Sequence, residues 1–137
     1  MNLFNKLKKL KTLLVDDDEL IRDSLKIAFS AKGCAMRVAE TAEDGLEAIG
    51  EEQFDIIISD YRLPGMNGLD FIKQAAVLQP DAIQFLITAY RDNHIISEAS
   101  RIGVNEFIEK PFSVKVLINL LALSLKRQVK NRAAAAN

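Results

Sequence analysis

Short apolar runs alternate along the chain with segments whose apolar positions recur every three to four residues. "KTLLVD" (Lys11–Asp16) and "AIQFLI" (Ala82–Ile87) read as strands, and "FDIIISD" (Phe54–Asp60) is an unbroken apolar run. That run predicts a strand covered by helices on both sides. "CAMRVA" (Cys34–Ala39) and "NEFIE" (Asn105–Glu109) read as two further strands. Helical patterns fill the intervals. Leu20, Ile21, Ser24, Leu25, Ala28 and Phe29 share one helical face, closed by Gly33 as a left-handed cap. Thr41 and Asp44 resemble a capping box at the head of "AEDGLEAIGEE". "LDFIKQAAVLQ" stops before Pro80, "NHIISEASRIG" ends on Gly103, and a long helix runs from about Val114 to Arg132. "YRLPGMNG" is a loop rich in turn residues.

Five strands alternating with five helices predict an α/β fold, with a parallel sheet between two helical layers. The flavodoxin-like, doubly wound (βα)5 three-layer sandwich, sheet order 2-1-3-4-5, suits this count. Ligands of such sheets sit where the first and third strands end. Asp16 and Asp17 end the first strand and Asp60 ends the third. The fold rule thus gathers acids that lie far apart in sequence.

Composition narrows the class. The chain has 137 residues, of which 49% are hydrophobic, enough for one sizeable core. A net charge of -1 gives no reason to expect direct nucleic-acid binding. Cys34 is the only cysteine, so no internal disulfide forms. It fits a cytoplasmic protein and reads as a small apolar residue at a strand start. No apolar run approaches the ~18 residues of a membrane span. The expected organisation is an amphipathic extension over 1–10, one domain over 11–126, and a tail or truncated linker over 127–137.

Asp16, Asp17 and Asp18 crowd like charges at one point. Asp18 suits a helix N-cap, but capping explains neither Asp16 and Asp17 nor Asp60. Carboxylates in one crevice need a counter-charge, and a hard divalent cation, Mg²⁺ or Mn²⁺, takes such oxygen ligands. The fourth strand ends at Thr88, and Lys110 follows the fifth. Acids, metal, hydroxyl and ammonium together suit a phosphoryl group, and a carboxylate can accept one as an aspartyl-phosphate.

"LLVDDDEL", "DIIISDYRLPGMNG", "LITAY" and "FIEKPF", in this order, resemble the receiver domain of two-component response regulators, from roughly Lys11 to Lys126. The resemblance implies that Asp60 is the phosphoacceptor and that Asp16, Asp17, Asp60 and the Arg62 backbone carbonyl hold Mg²⁺. It implies that Lys110 contacts the phosphoryl group, that Thr88 and Phe107 form a switch, and that the Lys110–Pro111 bond is cis. Phenylalanine at 107 lacks the hydroxyl that tyrosine would bring there. The implied donor is a sensor histidine kinase or a histidine phosphotransfer protein. The implied output surface is the fourth helix, fifth strand and fifth helix, through which two copies could also pair. The protein would then be a switch with self-catalysed phosphotransfer and dephosphorylation only, not an enzyme. His94, the only histidine, reads as an exposed helix residue.

Three rival readings stand beside this one; the first, a flavin carrier on the same sheet order, would want a Ser/Thr/Gly-rich phosphate loop after the first strand, where this loop is acidic. Asp16 and Asp18 fit the Asp-x-Asp of a haloacid-dehalogenase-like phosphatase, although no acidic residue follows Glu109 to complete its metal site. A phosphorylation-independent pseudo-receiver scaffold would not need the full acidic set. Arg62 and Tyr90 each lie two residues beyond a site residue, large enough to flank the phosphoryl group. Autodephosphorylation of an Arg62→Ala, Tyr90→Ala double variant is expected to run faster than in the parent. Equal or slower decay in a phosphate-release assay would refute this shielding role.

Overall fold

The computed structural model describes residues 8–89 and 92–136. The expectations on Tyr90, on the first seven residues of the N-terminal extension and on the tail's side chains after Arg127 lie outside the described residues. The order along the chain is β1 (Lys11–Val15), α1 (Glu19–Ala31), β2 (Ala35–Ala39), α2 (Ala42–Glu51), β3 (Ile56–Asp60), α3 (Gly68–Leu78), β4 (Ile83–Thr88), α4 (Asn93–Ile102), β5 (Glu106–Glu109) and α5 (Val114–Ala136). The strands form one sheet in the order β2-β1-β3-β4-β5, parallel throughout.

Burial explains the unbroken apolar runs. Every residue of the central strands β3 and β4 is buried. Leu14, Ile56, Ile58, Phe85 and Ile87 point to one face, where Leu25 and Phe29 of α1 and Leu117 and Leu121 of α5 cover them. Leu13, Ile57 and Leu86 point to the other, under Ile49 of α2, Phe71 and Ile72 of α3, and Ala99 of α4. The three-layer sandwich follows from this alternation across the strands.

Each helix start carries its own stop signal for the preceding loop. Asp18, Thr41, Asn67 and Asp92 cap α1 to α4 by accepting backbone N–H bonds at the open helix ends. Gly33 (φ 73°) and Gly103 (φ 108°) adopt the left-handed conformation that ends α1 and α4.

The structure departs from the pattern in three places. Leu20 is 74% exposed, because it lies at the edge of the α1 arc, opposite Phe29. Strand β3 begins at Ile56 rather than Phe54, since the Phe54 N–H donates to Gln79 Oε1 at 2.7 Å. Gln79 Nε2 donates in turn to the Ile49 and Glu52 carbonyls, so one buried amide binds the ends of α2 and α3 to the head of β3. Helix α5 continues to Ala136 instead of Arg132, in keeping with the high helix propensity of its closing alanines. One face of α5 covers the sheet, as its pattern predicts, while Val116 and Leu123 remain exposed.

Candidate functional site

Three strand ends build the site. Beyond β1 the Asp16 N–H still donates to the Ala39 carbonyl of β2 at 3.1 Å, which carries strand-like order one residue past the ladder. Asp16 is thereby fully buried, whereas Asp17, where the chain turns toward α1, is exposed. Asp60 is the last residue of β3, paired with Ile87, and is 4% exposed. Carboxylate oxygens of Asp16, Asp17 and Asp60 lie within 4.8 Å of one another, the group of acids able to hold a metal ion among the described residues.

Lys110 enters from the end of β5. Its backbone N–H donates to the Thr88 carbonyl at 2.8 Å, which fixes where its side chain starts. Its Nζ lies 2.8 Å from Asp60 Oδ2 and 3.5 Å from Asp16 Oδ2. The following Lys110–Pro111 peptide is cis. Asp60 Oδ1 accepts the Arg62 N–H at 3.3 Å, and the Arg62 side chain is exposed. Thr88 ends β4 and is buried, opposite Glu109 in the β5 register. Phe107 is half-buried against the cluster under α2 to α4. His94 is exposed on α4, and Cys34 is buried just before β2.

The electrostatics follow from this crowding of charges. Burial, then the neighbouring Asp60 charge, pushes the Asp16 carboxyl up to about 6, against the pull of the Asp18 N–H and of Lys110. Burial also opposes the charge on Lys110, but its bonds and ion pairs with Asp60 and Asp16 outweigh it and raise the ammonium above its usual range. Asp16 Oδ1 accepts the Asp18 N–H at 2.9 Å, while the buried Oδ2 has no hydrogen bond and only the 3.5 Å ion pair. One ammonium thus pairs with two of three converging carboxylates. An all-oxygen donor set with a spare buried oxygen fits a hard divalent cation.

Asp18 Oδ1 accepts the Leu20 and Ile21 N–H groups as the α1 cap. Sequence reasoning missed Arg22, whose Nη1 donates to the Asp16 carbonyl at 2.8 Å. A lone arginine on a helix carries no pattern, and only the folded turn brings it there.

A doubly wound sheet with acids and a lysine at the carboxyl ends of its strands places them in the crevice where ligands of such sheets bind. The model of the response regulator receiver domain matches residues 12–122, and the chain belongs to that family. It is 30% identical to a cyclic di-GMP phosphodiesterase of Thermotoga maritima, over 88% of this chain and 31% of that protein. It is 27% identical to the transcriptional regulatory protein FixJ of Bradyrhizobium diazoefficiens, over 83% of this chain and 56% of that one. The chain therefore spans less than two thirds of these relatives. Among solved structures, a receiver domain protein (CheY-like) from Methanospirillum hungatei superposes with a TM-score of 0.84 at 30% identity, covering 89% of this chain and 98% of that one. A Burkholderia pseudomallei response regulator with a phosphorylated aspartic acid, calcium ion and citrate gives 0.78 at 27% identity, covering 89% and 72%. Among the described residues no helix is long and apolar enough to cross a membrane.

Proposed function

We propose that this receiver domain takes a phosphoryl group onto Asp60 from a phosphohistidine of a sensor histidine kinase or histidine phosphotransfer protein. The convergence of Asp16, Asp17 and Asp60 with Lys110 Nζ 2.8 Å from Asp60 carries this reading. An Asp60 oxygen attacks phosphorus. The new O–P bond forms as the donor N–P bond breaks, and the departing imidazole nitrogen takes up a proton. Lys110 compensates the negative charge gathered on the phosphoryl oxygens. Asp16, Asp17, Asp60 and the Arg62 carbonyl would hold Mg²⁺, or Mn²⁺, which supplies further charge neutralisation when bound. An apolar cleft of about 510 Å³ beside Lys110, lined in part by Leu20, Ile21, Phe112 and Val114, suits a docking donor protein.

The phosphoryl adds charge and acceptor oxygens at one spot. Thr88 turns to bond it, and Phe107 rotates into the space released. The surface of α4, β5 and α5 changes between two states whose balance the modification shifts. That surface engages a downstream target or pairs with a second copy. The chain acts in the cytoplasm as a switch and turns over nothing but its own phosphoryl group.

Beryllofluoride, a phosphoryl mimic, tests the assignment in a thermal melt. Beryllofluoride with Mg²⁺ should stabilise the parent, by about 2.7 kcal/mol at roughly a hundredfold excess over Kd, and leave Asp60→Asn unmoved. Equal stabilisation of both proteins would refute the assignment.

A further inference from the structure

The Asp16 main chain is held at its N–H by the Ala39 carbonyl and at its carbonyl by Arg22, which reaches back six residues from the second half of the first turn of α1. The Arg22 N–H itself closes that turn on the Asp18 carbonyl at 3.1 Å. One residue thus joins the start of the helix to the peptide that links the acidic pair. The peptide that Arg22 grips is Asp16–Asp17, and its orientation sets the directions in which both side chains leave the backbone. Asp16 is buried and Asp17 exposed, yet their carboxylates converge with Asp60.

We infer that Arg22 is a positioning residue for the cation pocket: its guanidinium holds the Asp16–Asp17 peptide so that both carboxylates face one ion. The inference rests on the reading of that pocket as a divalent-cation site. Arg22 touches no carboxylate of the triad in its 2.8 Å bond, so its effect passes through the backbone. Supporting bonds of this kind govern metal affinity by about 10- to 100-fold where they orient ligands.

The sign of the effect separates positioning from charge. A cation beside a cation site weakens binding by repulsion, so removing the Arg22 charge alone would tighten the site. Losing the tether would loosen it. Mn²⁺ binding can be measured by water-proton relaxation and Mg²⁺ binding by calorimetry. The proteins are the parent, Arg22→Met, Arg22→Lys and Asp17→Asn, each first shown to be folded by a melt in chelator. Arg22→Met is expected to bind Mn²⁺ about tenfold more weakly. Arg22→Lys, which keeps a donor on a long stem, should recover part of the loss. Unchanged or tighter binding in Arg22→Met overturns the inference. A parent that binds no divalent ion, or an Asp17→Asn protein that binds as well as the parent, overturns the site reading instead. Weak binding in Asp17→Asn with parental binding in Arg22→Met sinks the Arg22 role alone.

Discussion

Asp16→Asn is expected to make the metal-free protein more stable at pH 7, not less. Asp16 is fully buried, and its carboxyl is raised from 3.8 to about 6. In the unfolded chain the group ionises near the lower value, in the folded protein near the higher one. The folded state therefore holds its proton longer. Stability is undiminished below about pH 4, falls between pH 4 and 6, and carries the full penalty above. A shift of this size corresponds to a penalty on the order of 3 kcal/mol. Asparagine keeps the bond from the Asp18 N–H and carries no charge. Urea melts in chelator at pH 7 should show a gain of about 1–3 kcal/mol that vanishes by pH 4. Added Mg²⁺ should stabilise the parent strongly and the variant little. A destabilised variant in chelator would show that Asp16 is held by compensation within the protein, and that no cation is wanted there.

Gly68→Ala should damage the fold and the site together. A Cβ on Gly68 would lie 2.1 Å from the Asp60 carbonyl oxygen and 2.7 Å from Tyr61 Cα, both backbone atoms that have no rotamer to escape into. The Gly68 N–H donates to the Tyr61 carbonyl at 2.7 Å, so the first turn of α3 presses directly on the end of β3. To accommodate a methyl group, the helix or the phosphoacceptor strand must move. The expected loss is on the order of 3 kcal/mol or more, with cation affinity falling as Asp60 shifts. Gly50→Ala is the control. Its Cβ would meet nothing within 4 Å, and alanine is the better helix former, so that variant should gain roughly 0.5–1 kcal/mol. Chemical denaturation of the three proteins reads out both. Parental stability in Gly68→Ala would show that the loop between β3 and α3 can yield.

Much of the fold was legible because its signals are local or periodic. The apolar run of β3 announces burial on both faces, and Asp18, Thr41, Gly33 and Gly103 mark helix ends by their own chemistry. The sheet order came from a topological rule, and with it the meeting of Asp16 and Asp60. What escaped depends on three-dimensional reach. Gln79 looks like any polar residue at a helix end, yet it satisfies three backbone groups from two other segments. Arg22 looks like any exposed helix cation, yet it bonds the Asp16 carbonyl. Leu20 shares the apolar face by its helical angle, but it lies at the edge of that arc and stays 74% exposed. Lys110 was legible as a strand-end cation. Its 2.8 Å approach to Asp60 depends on the β4–β5 register, which no single segment encodes.

Phosphoryl transfer itself tests the central claim most directly. The chain is incubated with acetyl phosphate and Mg²⁺, trapped by borohydride reduction, and read by mass spectrometry of the intact protein and its peptides. One added phosphoryl mass on the untreated protein, and homoserine at position 60 once reduction has released that phosphate, both absent with chelator and absent in Asp60→Asn, are the predicted result. Label on Asp16 or Asp17, or undiminished label in Asp60→Asn, would contradict it.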